Sequence, residues 1–324
     1  MKKSLIAGLG LVAALVAGPA VAQNFPTKPV QLMVAYPPGG STDIGARIVA
    51  AIAEKDIGQP IVVINKGGAG GQVGWTELTR QKPDGYYIGF INLPATNTVI
   101  LDKARQAIFD EKSFTPIINQ VLDPGVVWVK ADSPFKSLKD VVDAASKSRG
   151  TVKAATTGIL SDDHLAILML EEAVPAARFR LVHLAGGAAQ MKETLAGNVD
   201  VSFDNVGSIV KQVKAGQVRA LAVMDTERSK FLPDVPTTKE LGYPKMISNS
   251  TRGIAGPKGM DPKVVAKLAD TLKKAMDNPE HKSKMDAVGL AVKVMTGADY
   301  QKYFNDTHAR AKQLVEWAKS RPQK

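Results

Sequence analysis

The chain of 324 residues contains no cysteine, which excludes disulfide staples, thiol nucleophiles and thiolate metal sites together. It has four histidines, His164, His183, His281 and His308. None stands at helical spacing from another, so a helix-borne histidine pair for zinc is excluded. There is no G-x-S-x-G nucleophile elbow and no Walker glycine-lysine-hydroxyl loop. Past the N-terminal segment, no apolar run approaches the roughly 18 residues of a membrane span. Internal repeats and low-complexity tracts are also missing.

What is present begins with an address. Lys2 and Lys3 precede an apolar run over residues 5–17, and Ala20-Val21-Ala22 is a small-x-small cleavage site. Residues 1–22 are therefore expected to be a secretory signal peptide, cleaved after Ala22 to leave a soluble, exported protein that starts at Gln23. The formal charge of +11 falls by the two lysines to +9. The remaining lysines and arginines are scattered, and export argues against nucleic acid as a partner. The basic balance supports an anionic ligand.

From Val30 onward, short apolar runs alternate with helical periodicity. Strands are expected over 30–36, 61–64 and 86–92, and helices over 41–55 and 72–81. This alternation predicts an α/β fold with mostly parallel sheet flanked by helices. A second series starts near Val121. Its strands are expected over 126–130, 151–156, 179–184, 199–203 and 218–224, and its helices over 138–148, 163–173, 187–196 and 208–214. The expected organisation is two lobes facing across a cleft, residues 23–122 with 250–324 and residues 123–249. Helices over 262–276, 279–288 and 298–318 are expected to pack back onto the first lobe.

The stretch Tyr36-Pro37-Pro38-Gly39-Gly40-Ser41-Thr42-Asp43 runs from a strand through a glycine turn into a helix start. That arrangement presents free backbone N–H groups and a positive helix end to an anion. It is equally the form of an ordinary capped turn. Asn92 and the glycines after residue 66 also follow strand C-termini, the edge at which open α/β sheets bind ligands. In the second series the matching loops carry Thr156 and Thr157, Ala185-Gly186-Gly187, and Asp204.

Other candidates are weaker. Gly68-x-x-Gly71-x-x-Gly74 fails the dinucleotide pattern and lacks the acidic residue that should follow it. Asp162 and Asp163 read as helix-dipole complements, and His164 just after them as a cleft-lining or capping residue. Arg252 is either a bidentate partner for a carboxylate or a surface arginine.

Taken in order, several segments resemble one family, the Bug-type periplasmic receptors of tripartite tricarboxylate transporters. They are Pro38-Gly39-Gly40-Ser41-Thr42-Asp43 with Arg47, Gly68-Ala69-Gly70-Gly71, Pro83-Asp84-Gly85-Tyr86, the run from Lys214 to Val223, and Arg228 with Leu232-Pro233-Asp234-Val235-Pro236-Thr237. The resemblance implies a two-lobed periplasmic-binding-protein fold of type II character and a non-enzymatic, monomeric receptor without cofactor or metal. It further implies capture of a small mono-, di- or tricarboxylate, aromatic ones included, and its delivery to the membrane permease subunits. The carboxylate would lie on residues 36–43 and on Ala185, Gly186 and Gly187. Thr156, Thr157, His164, Asn92, Asp204 and Arg252 would complete the site, with Asp43 orienting its loop. His183-Leu184-Ala185 stands where many relatives carry Pro-Tyr-Lys, and the serine-rich turn of lobe two is replaced by residues 156–164. The rival reading is a secreted α/β hydrolase or isomerase acting on a carboxylate, or a ligand sensor for a two-component system.

Overall fold

The computed structural model describes residues 25–320; the expected signal peptide lies outside them. The first half of the chain forms β1 (Val30–Val34), α1 (Ser41–Ile57), β2 (Ile61–Asn65), α2 (Gln72–Thr79), β3 (Tyr87–Ile91), α3 (Ala95–Leu101) and β4 (Phe114–Lys130). There follow α4 (Leu138–Lys147), β5 (Lys153–Thr156), α5 (Asp162–Ala173), β6 (Arg180–His183), α6 (Gly187–Leu195), β7 (Val201–Asn205), α7 (Val206–Lys214) and β8 (Val218–Met224). The chain returns through β9 (Asn249–Pro257), α8 (Pro262–Asp277), α9 (Pro279–Ala287), β10 (Val292–Thr296) and α10 (Gly297–Ser320).

The fold is α/β and two-lobed. β1 pairs in parallel with β2 and β3, and β5 in parallel with β6 and β7. β1, β2 and β3 are largely apolar, as strands of a parallel sheet covered by helices are. Between the two parallel groups run β9 and β4, in the order β2-β1-β3-β9-β4-β7-β5-β6. β4 is the element that joins the lobes. Its residues up to Pro124 pair antiparallel with β9, and from Gly125 onward it pairs with β7 and β8.

The 17-residue span of β4 differs from the expected short strand over 126–130. Pro116, Pro124 and Gly125 break the apolar pattern, and prolines sit in strands only where the ladder can spare a donor. Here the register shifts between Pro116 and Ile118 and again between Asn119 and Val121. The return crossing is close by, with the Gly125 N–H donating to the Ser248 carbonyl at 2.8 Å.

α10 also touches both lobes. Tyr300 and Phe304 are buried with Trp75, Ile91 and Phe114. Further along the same helix, Ala311, Leu314 and Val315 are buried with Leu138, Leu165 and Phe203 of the second lobe. The C-terminal segment expected to pack on lobe one therefore packs on both.

Candidate functional site

The loop after β1 is built around Asp43. Gly39 turns the chain with φ +87°, a conformation that favours glycine. Its N–H donates to Asp43 Oδ2 at 2.9 Å. Arg47, one helical turn on, donates to both Asp43 oxygens at 3.1 and 2.9 Å, and Asn65 Nδ2 donates to Oδ1 at 3.0 Å. Burial pushes the Asp43 pKa up, but the bonds from Arg47, Gly39 and Asn65 outweigh it and hold the carboxyl below its ordinary value. The carboxylate thus points back into its own loop. Asn65 also donates to the Tyr36 carbonyl at 3.0 Å, so both ends of the turn are fixed from β2.

This leaves the start of α1 open. The first internal bond runs from Ile44 N–H to the Gly40 carbonyl at 3.0 Å, so the N–H groups of Ser41, Thr42 and Asp43 have no partner within the helix. Gly40 is the N-cap and offers no side chain to them. The Thr42 hydroxyl is taken inward by Asn92 Nδ2 at 3.1 Å. The Ser41 hydroxyl accepts from Arg252 Nη2 at 2.8 Å, which leaves its own proton free to donate outward. Tyr36 meets Trp75 edge-on at 6.2 Å. Burial, followed by the charge of Asp162, raises its phenol pKa, so it stays a neutral wall.

Arg252 is not a surface residue. It lies on β9 opposite Val121 and is 3% exposed. Nη2 also pairs with Asp123 Oδ2 at 3.2 Å. Nε and Nη1 have no hydrogen-bond partner among the described residues.

Asp123 was not expected in the site; an acid amid the apolar run of β4 is the signal that marks it. It also accepts the Gly207 N–H at the start of α7, at 3.0 Å. Burial raises its pKa to about 6 against the pull of Arg252 and the Gly207 N–H.

The second-lobe candidates form two groups. Thr156 holds His183 Nδ1 at 2.7 Å, and the His183 and His164 rings lie 4.7 Å apart. His164 Nδ1 accepts the Leu160 N–H at 3.0 Å. Burial, and then the His183 neighbour, lower the His164 pKa to about 4, so the ring is neutral. The Thr157 hydroxyl and N–H both donate to Asp163, which fixes the turn over 157–161 much as Asp43 fixes the turn over 36–43.

The other group surrounds α6. Ala185 is exposed, and Gly186 is the N-cap with φ +92°. Asp204 is 3% exposed, and its Oδ2 lies 3.2 Å from where a Cβ on Gly187 would stand. Oδ1 accepts the Asn205 N–H at 2.6 Å, and the Ser208 side chain also bonds the carboxyl. Burial and the nearby Asp162 charge push the Asp204 pKa to about 7, against the Asn205 N–H.

Two sets of hydrogen bonds tie the segments beside these groups, and the second of them crosses between the lobes. Asn205 Nδ2 reaches Asp162 Oδ2 at 2.8 Å and the Asp123 carbonyl at 3.4 Å. Arg105 donates to the Ala69 carbonyl at 3.1 Å and the Ile159 carbonyl at 3.2 Å, tying the glycine loop after β2 to the turn after β5. Nothing in the sequence singles Arg105 out. Among the described residues no group of histidine and acidic side chains has the geometry to hold a metal ion.

The dependence of the loop on Asp43 gives a first prediction. In Asp43→Ala, the Gly39 N–H and the Asn65 amide lose their acceptor, at a cost of about 1–3 kcal/mol. Denaturant unfolding should show that loss, and Asp43→Asn should recover part of it. A fully stable alanine variant would mean that the turn is held by its backbone alone.

A sequence model described as "Tripartite tricarboxylate transporter family receptor" matches residues 45–319. A curated protein of Cupriavidus necator, "UPF0065 protein in gbd 5'region", is 32% identical over 324 residues, 97% of both chains. Among solved structures, the periplasmic binding protein BugD is 28% identical with a TM-score of 0.80, covering 92% of this chain and 100% of that one. MatC from Rhodopseudomonas palustris, solved with bound malate, is 25% identical with a TM-score of 0.81, covering 90% and 100%.

Proposed function

The chain belongs to the tripartite tricarboxylate transporter receptor family, and from that premise we propose that it is a periplasmic receptor that closes its two lobes on a small carboxylate. It hands that ligand to the permease subunits of a tripartite tricarboxylate transporter. The observation that carries the reading is the start of α1. Three N–H groups at a helix N-terminus and the Ser41 hydroxyl, braced by the buried cation Arg252, form an anion-binding end. The acidic side chain of the loop itself, Asp43, is committed to its own turn. A carboxylate there would gain charge-assisted bonds, and further contacts to the second lobe would favour the closed form by differential affinity. The histidines beside the second-lobe loops, His164 and His183, have their pKa values lowered by burial and carry no charge to repel or attract the ligand. The molecule acts as a monomer on a ligand that leaves unchanged.

A thermal-shift panel of small carboxylates tests this. A ligand that binds only the folded form at a hundredfold over its Kd adds about 2.7 kcal/mol and raises the midpoint. The stabilising compound should be recovered intact. Its turnover, or a panel without any shift, overturns the reading.

Gly40→Val is the local test. A Cβ at Gly40 meets only the Pro37 carbonyl, at 3.9 Å, and φ is −78°, so the variant should fold with a midpoint close to the parent. Its side chain covers the open amides, and affinity should fall about tenfold or more, a loss of about 1.4 kcal/mol. Unchanged affinity removes the start of α1 from the site.

A further inference from the structure

The glycine loop after β2, which fails as a nucleotide loop, receives a side chain of its own lobe instead. Arg105 lies over it. Nη1 donates to the Ala69 carbonyl at 3.1 Å and stands 3.3 Å from where a Cβ on Gly70 would be. Ala69 is itself held at φ +47°. A non-glycine residue stays in that region only where its surroundings hold it there.

The rest of the guanidinium is anchored in the same lobe. Nε faces Asp102 Oδ2 at 3.5 Å, and Gln72 Nε2 donates to the Arg105 carbonyl at 2.9 Å. Lobe one thus fixes the backbone of Arg105 and two of its three side-chain nitrogens, and the planar fork directs the third. That third nitrogen, Nη2, donates to the Ile159 carbonyl of lobe two at 3.2 Å.

The far end of this bond is held as well. The peptide between Ile159 and Leu160 gives its carbonyl to Arg105 and its N–H to His164 Nδ1, the latter at 3.0 Å. A backbone amide only donates, so His164 Nδ1 is the acceptor and the ring keeps the peptide in place from within lobe two. Leu160 has φ +58°, so a non-glycine residue in the left-handed region stands at each end of the bridge. The Ile159 side chain is 55% exposed, so the bond, and not the packing of that residue, brings the turn to lobe one. β4, β9 and α10 connect the lobes in any arrangement. The Arg105–Ile159 bond exists only while the loop after β2 and the turn after β5 meet.

We infer that Arg105 is a latch between the lobes, a positioning residue that holds the turn over 157–161 against the glycine loop and biases the molecule toward its closed arrangement. This goes beyond the receptor reading and does not depend on which ligand is bound. Losing a charge-assisted bond made in only one of two arrangements shifts their ratio about tenfold. Lysine is a poor substitute, because one ammonium on a flexible stem cannot hold Asp102, Ala69 and Ile159 together.

The lack of cysteine makes the test clean. Arg80→Cys and Lys192→Cys place one exposed spin label on each lobe, and pulsed electron paramagnetic resonance without ligand reads the distance between them. The labelled parent should show its main population at the shorter distance, that of the lobes as described above. Adding Arg105→Met should lower the ratio of shorter to longer populations about tenfold, with Arg105→Lys between the two. A residue that only staples the loops of lobe one would lower the urea midpoint and leave the distances alone. A ratio in Arg105→Met within about twofold of the parent therefore overturns the inference, whatever the stability. A parent that shows the longer distance alone overturns it too, and that outcome needs no arginine variant to fold.

Discussion

Replacing Arg252 with methionine should abolish measurable carboxylate binding, a loss of about a hundredfold or more, and should destabilise the fold by about 3–5 kcal/mol. The two effects have separate causes. The stability loss comes from Asp123, whose Oδ2 loses its guanidinium partner at 3.2 Å while remaining buried. Already raised to about 6 with Arg252 in place, the Asp123 pKa would climb further and the group would fold only as the neutral acid. The binding loss comes from Ser41, whose hydroxyl is oriented by Nη2, and from removal of the cation behind the α1 amides. The double variant Arg252→Met with Asp123→Asn separates the two: stability should return in large part, and affinity should not. If the single variant binds within about threefold of the parent, Arg252 is a structural counter-ion to Asp123 and the anion end of the site lies elsewhere. Urea unfolding and calorimetric titration of the three proteins decide between these.

The same residue shows how far the sequence carries. Arg252 is conspicuous there as a cation in a polar crossing segment, but its partner Asp123 is 129 positions away, and no local pattern links them. The turn over 36–43 is legible because its parts are local: a buried apolar strand, a Pro-Gly break, and an acid placed where it can cap the glycine four residues back. The alternating strands and helices are legible for the same reason, and β8 has the expected bounds, Val218–Met224.

What escaped notice is non-local or locally contradictory. α3 is written Ala-Thr-Asn-Thr-Val-Ile-Leu, rich in β-branched residues that disfavour helix in isolation. It forms because α10 and α2 pack on it. β4 carries prolines that read as breaks, yet pairing on both edges sustains it, with β9 and β10 along its first part and with β7 and β8 along its second. The Arg105 bridge joins residues 36 and 54 positions apart and has no signature at all.

The buried acids make a second large prediction, that the ligand-free protein is less stable at about pH 8 than at pH 6.5. Asp204 has its pKa raised from 3.8 to about 7 and Asp123 from 3.8 to about 6, in both cases first by burial. Asp162 and Asp163 are raised as well, Asp163 the further, again first by burial. A carboxyl whose pKa is higher folded than unfolded binds more protons in the native state over the interval between the two values. Its contribution to stability is complete below 3.8 and is lost as the pH rises through the folded value. The histidines work in the opposite sense. Burial lowers His164 and His281 to about 4 and lowers His183, so their contribution is present above 6.5 and is lost as the pH falls toward 4. Each of these histidines is half-protonated in the unfolded chain at pH 6.5, so above that pH its opposing gain is only about 0.4 kcal/mol and is nearly complete by about 7.5, which leaves the acids dominant. Stability should therefore fall from pH 6.5 to about pH 8, with a slope up to about 1.4 kcal/mol per pH unit for each proton held only by the folded state. Below 6.5 the opposing histidines flatten the curve, and at still lower pH the salt-bridged Asp43, whose pKa is depressed, adds its own loss. Urea midpoints across this range give the profile, and Asp204→Asn should reduce its upper slope. A profile that is flat or rising between pH 6.5 and 8 would mean that Asp204 and its neighbours are solvated in solution.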